Sequence, residues 1–337
     1  DHRDYITTEF PGGAICAATF DVDAVKEIGA AIGQEVSDYG LDILLAPGEN
    51  LLRSALCGRN HEYYSEDPLL AGKIGAAYVN GVQSNGVGAC LKHFAVNNQE
   101  TNRNTMDARV SERALRELYL KNFEITVKEA QPWTIMTSYN KVNGLYTCED
   151  RRLTETILRG DWGFKGLVMT DWNAGRDAVA SIKAGNDMLQ PGQAKQREAI
   201  YEAAKNGSLS MELIDLSVRR TLELVLKSHT QKGYNYPNET NLKAHSALTR
   251  RIGAEGIVLL KNDNTLPFVS VKNVALYGVT SYDLVPAGMG FGATGHGHYI
   301  VSLVEGLRNQ GMNADMKLAA QYTKHIASEQ TRFFHND

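Results

Sequence analysis

Arg59, Lys92, His93, Tyr139 and Asp171 are the residues whose types and positions could carry chemistry together. Asp171 closes the apolar, β-compatible run GLVMT and is followed at once by Trp172. That pattern describes a buried parallel strand delivering a carboxylate and an aromatic ring to a pocket at its carboxyl end, where α/β barrels and open α/β sheets place their sites. Lys92 and His93 end VGACLKH, Tyr139 ends TIMTSY, and Glu100, Arg103 and Asp187 lie close by in sequence. Cationic and donor groups around Asp171 would hold it ionised and lower its pKa, which suits a nucleophile rather than a general acid. Hydroxyl-rich ligands call for this mixture of donors and acceptors, with an aromatic face such as Trp172 beneath a ring. Two plainer readings compete. Asp171 could cap a helix starting within 173–177, and the charged set could be a buried ion-pair network tying strands together. Neighbours on a strand face opposite ways, so at least one of Lys92 and His93 should point inward.

The elements that must position these groups follow a βα rhythm. Residues 21–40 predict a helix with Val25, Ile28, Ile32 and Val36 on one face, and LDILLAP (41–47) is the strand after it. Asp67 before Pro68 is a helix start. Strands follow at VGACLKHFAVN, TIMTSYN, GLVMTDW and NDMLQPG, separated by helices over 111–130, 152–159 and 177–184. Helices over 197–205 and 211–227 close this part, and residues 229–241 have the polar, Gly- and Pro-containing composition of a linker. The number of βα units favours a parallel barrel over a doubly wound sheet. Beyond it, 248–260 reads as a helix running into an apolar strand, IVLLKND, then a strand at 273–279 and a helix over 301–309. The fold class is therefore α/β: a TIM-barrel-like (β/α)8 domain over 1–228, a linker over 229–247, and the start of an α/β sandwich over 248–337. About 90 residues are few for a sheet covered on both faces, so this last domain is expected to be incomplete.

Composition excludes several classes. With 43% hydrophobic and 22% charged residues and a net charge of -4, the chain has no basic excess to bind nucleic acid. No run approaches the roughly 18 apolar residues of a membrane span. Residues 1–8 lack the apolar core of a signal peptide. Cys16, Cys57, Cys90 and Cys148 are scattered without a CxxC pair and read as buried free thiols. Glycines 288, 290, 292, 295 and 297 lack the GxxxxGK[ST] pattern of a phosphate loop, and His296 and His298 without a carboxylate are a weak metal clip. No metal or disulfide framework is implied.

Several stretches resemble a known family. KHFAVNNQETNR (92–103), SERALRELYLKNFE (111–124), IMTSYNKVNG (135–144), LRGDWGFKGLVMTDW (158–172) and AGNDMLQPG (184–192) together resemble glycoside hydrolase family 3, in its β-glucosidase branch. GRNHEYYSEDP (58–68) and AEGIVLLKNDNTLPF (254–268) are similar to the same family, so the likeness covers most of 10–267 in order. The resemblance implies that Asp171 is the catalytic nucleophile. It implies further that Arg59, Lys92, His93 and Tyr139 bind sugar hydroxyls or orient that nucleophile, with Met136 and Trp172 as apolar walls. The reaction it implies is retaining hydrolysis of a terminal β-glycoside, with two carboxyl groups about 5 Å apart and a covalent glycosyl-enzyme. The resemblance implies no metal or organic cofactor and a β-glucoside or oligosaccharide substrate as partner; neither nucleic acid nor a membrane is expected, and a homo-oligomer stays open.

Two departures stand out. Relatives carry a DGPxG motif upstream of FPGGAICAATFD whose Asp binds the sugar; here only DHRDYITTE precedes Phe10, and neither Asp1 nor Asp4 can be equated with it. In this branch of the family the acid/base is a Glu of the second domain, and nothing around Glu305 or Glu329 here resembles its motif, so none is assigned. A β-xylosidase or β-galactosidase fits the same pattern; the N-acetylglucosaminidase branch does not, because its KHFPGHG element is KHFAVNN here. From other classes come a barrel lyase using Lys92 as a Schiff-base amine and a carbohydrate-binding remnant without catalysis.

Overall fold

The computed structural model describes residues 5–284 and 300–334. The glycine run with His296 and His298, together with Asp1 and Asp4, lies outside them. The chain divides into two compact units: Phe10–Ile257, and a second containing Val258 onward with the first nine residues.

In the larger unit the apolar runs form a four-stranded parallel sheet. Its strands, in spatial and chain order, are β1 (Ile43–Leu44), β2 (Gly88–Phe94), β3 (Thr134–Thr137) and β4 (Leu167–Thr170). A parallel bridge from Met169 to Met188 brings NDMLQPG alongside β4. The architecture is thus α/β with a parallel sheet. β3 and β4 are buried throughout, which explains why they read as unbroken apolar runs rather than alternating ones.

One face of the sheet is covered by helices: Leu91, Ile135 and Val168 pack with Phe123, Val127, Leu153, Ile157, Leu158 and Trp162. The other face carries Cys90, Met136, Leu167 and Met169, joined by Met188 and Leu224. Register alternation thus separates a helix-facing side from an interior side, and Lys92, Met136 and Met169, which stand opposite one another, share the interior.

Helix starts follow the polar residues expected of them. Asp21 caps Val22–Asp38, Asp67 caps Pro68–Gln83 with Pro68 in the first turn, and Asp177 caps Ala178–Ala184. The 111–130 segment is not uniformly α-helical, since Leu115–Tyr119 is π-helical, as is Arg152–Asp161. The last helix of this unit begins at Leu242 rather than Leu248 and ends at Glu255. Its His245 lies 2.7 Å from Glu35, anchoring it to Val22–Asp38.

In the second unit Asn273–Val274 pairs in parallel with Asn313–Ala314, flanked by helices Leu303–Asn309 and Met316–Phe334. The strand expected at IVLLKND does not form. Ile257 to Leu260 have no ladder partner among the described residues, and their side chains are exposed.

Candidate active site

Asp171 is nearly buried, and its two oxygens differ. Oδ1 accepts from the Trp172 backbone N–H at 2.7 Å. Oδ2 has no hydrogen-bond partner among the described residues and stands 3.7 Å from His93 Nε2. The backbone beneath is tied on both sides: Asp171 N donates to Thr137 O, Thr170 N to Met188 O, and Gln190 N to the Thr170 hydroxyl. Asp171 is not a helix cap. The next helix starts at Ala178, and Asp177 accepts from Val179 N at 2.8 Å and Ala180 N at 3.0 Å.

β2 brings two adjacent side chains to this carboxylate by means of a bulge. Lys92 pairs with Met136, but Phe94 pairs with Thr137, so β2 carries one extra residue there. Lys92 and His93 therefore both reach the interior, whereas simple alternation would have sent one away. His93 is held from behind by Asn50, whose side-chain oxygen accepts from His93 N at 3.1 Å while its NH2 donates to His93 O at 3.0 Å. Its imidazole is pushed well below its usual pKa by burial first, then by the charges of Arg59, Lys92 and Arg103. His93 is thus neutral, and its contact with Asp171 is not an ion pair.

Arg59 and Lys92 converge on one carboxylate. Arg59 Nε bonds Glu62 Oε1, and Lys92 Nζ lies 3.6 Å from Glu62 Oε2. Glu62 therefore aligns the two cations while both still act on Asp171. The Tyr139 phenol is pushed up to about 12 by burial and by the adjacent Asp171, so it stays a donor. The Arg103 guanidinium lies over its ring, 4.3 Å from the centroid, and pairs with Glu100 at 2.7 Å. Met136 is buried opposite Lys92 on the interior side of the sheet, and Trp172, next to Asp171, is 52% exposed.

Sequence reasoning expected these charges to depress the Asp171 pKa. Its direction is upward instead. Burial dominates; the Trp172 N–H, the Tyr139 hydroxyl, Arg59 and Lys92 oppose it without reversing it.

Asp187 is not at this site. Its Oδ2 accepts from Arg159 at 2.8 Å and Val168 N at 2.9 Å, and its Oδ1 from Arg220 at 2.9 Å, with its side chain fully buried. Here the ion-pair reading holds. Sequence reasoning missed Asn50, Glu62 and Tyr63; only Glu62, three residues after Arg59, carried a spacing signal. Among the described residues no cluster of three or more His, Cys, Asp or Glu could hold a metal ion, and no helix is long and apolar enough to cross a membrane. All four cysteines are free and buried, and burial pushes the Cys90 thiol up to about 11, away from reactivity.

A parallel sheet whose strand ends gather a buried carboxylate, cations, a phenol and an exposed indole defines an α/β protein with a polar candidate site at the carboxyl edge of its sheet. The family profile for the glycosyl hydrolase family 3 N terminal domain matches residues 3–224, and the chain belongs to that family. It is 42% identical to Beta-glucosidase B of Emericella nidulans over 89% of this chain and 36% of that protein. It is 44% identical to Thermostable beta-glucosidase B of Acetivibrio thermocellus over 80% of this chain and 36% of that protein. Among solved structures, beta-glucosidase 3B from Thermotoga neapolitana in complex with glucose superposes with a TM-score of 0.93 at 45% identity, covering 97% of this chain and 47% of that one. The chain thus spans about a third of the length of the curated relatives it matches.

Proposed function

We propose that the chain carries the nucleophile-bearing part of a retaining, exo-acting β-glycosidase that releases a terminal β-D-glucosyl residue through a covalent glycosyl-enzyme on Asp171. The observation that carries this is the asymmetry of that carboxylate. One oxygen is fixed by a backbone N–H, and the other has no hydrogen-bond partner among the described residues, a geometry suited to attack by Oδ2 on an anomeric carbon. In this reading Arg59, Lys92 and His93 bind glycone hydroxyls, Tyr139 orients the nucleophile, and Met136 and Trp172 line the apolar face of the sugar. Attack forms the Oδ2–C1 bond as the bond from C1 to the leaving oxygen breaks, and water then returns the enzyme to its starting state. The acid/base that protonates the departing oxygen is not assigned to any residue of this chain.

The same reading takes the sheet of the larger unit as part of a (β/α)8 barrel-like catalytic domain over 1–228, joined through 229–247 to the start of an α/β sandwich. Its strands, helix order and family support it. A 2-fluoro glucoside with a good leaving group tests the chemistry: it should inactivate the full-length protein and label one peptide. Recovery of the label on any residue other than Asp171 would sink the assignment.

A further inference from the structure

The hydrogen bonds behind His93 have a direction, set by groups that can only donate or only accept. Glu100, paired with Arg103 through Oε2, presents Oε1 as an acceptor. The Asn97 amide atom 3.1 Å from it is therefore the NH2 nitrogen, not the carbonyl oxygen. That same nitrogen lies 3.4 Å from the Tyr63 hydroxyl oxygen and offers it the second N–H. The phenol oxygen accepts there, so its own hydrogen is free for its other neighbour, His93 Nδ1, at 3.4 Å. Arg59, whose charge acts on Tyr63, can only donate and cannot take that hydrogen. Tyr63 and Asn97 are completely buried, and His93 is 1% exposed, which leaves the sequence of donors little competition from solvent.

We propose that Tyr63 is a positioning residue that fixes His93 in the Nε2–H tautomer, so that the imidazole turns an N–H, and not a lone pair, toward Oδ2 of Asp171. The wire runs from Asn97, anchored by Glu100, through Tyr63 to His93, whose Nε2 faces the carboxylate at 3.7 Å. The opposite tautomer would set a nitrogen lone pair against the lone pairs of Oδ2 at 3.7 Å and repel them. Packing holds the ring at its post: a Cβ at Gly48 would stand 3.0 Å from the Tyr63 ring, so the neighbour is glycine where the tyrosine must fit.

The kinetic consequence rests on the reading of Asp171 as nucleophile; the tautomer does not. The test uses full-length protein carrying ring-15N histidine, with the His93 signals identified by their loss in His93→Gln. Wild type should show protonated Nε2 and unprotonated Nδ1 between about pH 6 and 8, the range in which an ordinary histidine titrates. Tyr63→Phe should raise the Nδ1–H fraction and lower kcat/KM on an aryl β-glucoside about three- to tenfold, the loss of one neutral hydrogen bond. A wild-type spectrum with Nδ1 protonated overturns the proposal without any variant, and so does a Tyr63→Phe spectrum identical to wild type. If Asp171 escapes labelling while His93 keeps Nε2–H, the glycosidase reading falls and the wire stands.

Discussion

Replacing Asp187 with alanine distinguishes a structural carboxylate from a catalytic one at a position that sequence places close to the site. The substitution removes one acceptor from three buried donors: Arg159 Nη2, Arg220 Nη1 and Val168 N, all within 2.9 Å. Burial pushes the Asp187 carboxyl up and the Arg159 guanidinium down, so the attraction within the pair is largely offset by the desolvation of both ions. The cost of Asp187→Ala therefore comes mainly from what it strands. The two guanidiniums keep only Glu155 as a counter-charge, its Oε1 3.3 Å from Arg159 Nε and 3.8 Å from Arg220 Nη1, and breaking a buried pair in this way typically costs about 3–5 kcal/mol. At roughly 2–4 °C per kcal/mol for a unit of this size, Tm should fall by about 6–20 °C. Calorimetry on the full-length protein reads the shift, and kcat/KM at 25 °C per folded molecule should stay within a few-fold of wild type. An unchanged Tm with activity abolished would refute the reasoning and return Asp187 to the chemistry.

Glu49 and Asp171 give two pH tests of opposite kind. Glu49 is completely buried, with Thr126 its one side-chain partner among the described residues, and burial raises its pKa well above the usual value. The folded state therefore holds its proton more tightly than the unfolded chain. The stability this contributes is full below about pH 4.3, the unfolded value, and is lost as pH rises toward the folded one. Glu49→Gln, a neutral donor of the same shape, should remove that decline in Tm; parallel Tm–pH curves would show that Glu49 is not protonated in the fold. For Asp171, a nucleophile must be ionised, and its pKa is raised, so the acidic limb of kcat/KM should lie above pH 3.9, the value of a free aspartate. A limb at or below that value would contradict the dominance of burial.

Much of this site could be read from apolar runs that end in polar residues, because a parallel strand buried on both faces leaves its chemistry at its carboxyl end. GLVMT, TIMT and GACLKHF all became neighbouring strands in register, and four side chains named from their ends meet there. The bulge that turns both Lys92 and His93 inward was not legible, since one extra residue in a ladder leaves no mark on the pattern of a single strand. Asn50 was hidden for a related reason. It sits in PGEN, a stretch with turn composition, and its role depends on meeting the backbone of His93, 43 residues away. The π-helical turns keep a helical spacing of apolar residues and so pass for α-helix. IVLLKND failed in the opposite direction: an apolar run predicts burial, but a strand also needs a ladder partner, and none is described for it.

The Asp171 pKa shows where counting charges stops working. Along the sequence, a carboxylate with Arg59 and Lys92 nearby reads as depressed, because charge type is visible there and depth is not. Depth decides the sign: both Asp171 and Glu49 are raised by burial. What separates them is the opposition. Asp171 is met by a backbone N–H, a phenol and two cations, whereas Glu49 is met by one threonine hydroxyl that also bonds Gly72 O. That hydroxyl has a single hydrogen to give. If it goes to Gly72, the short Glu49 contact requires the proton to be on the carboxyl, and the acid becomes a neutral part of the core. A Cβ at Gly75 would fall 1.5 Å from Glu49 Oε1, so helix Pro68–Gln83 gives up a side chain there to make room for it. Two acidic residues, each in a polar-looking loop or strand end, are thus both raised by burial, and they differ in what the fold sets within hydrogen-bond reach of each.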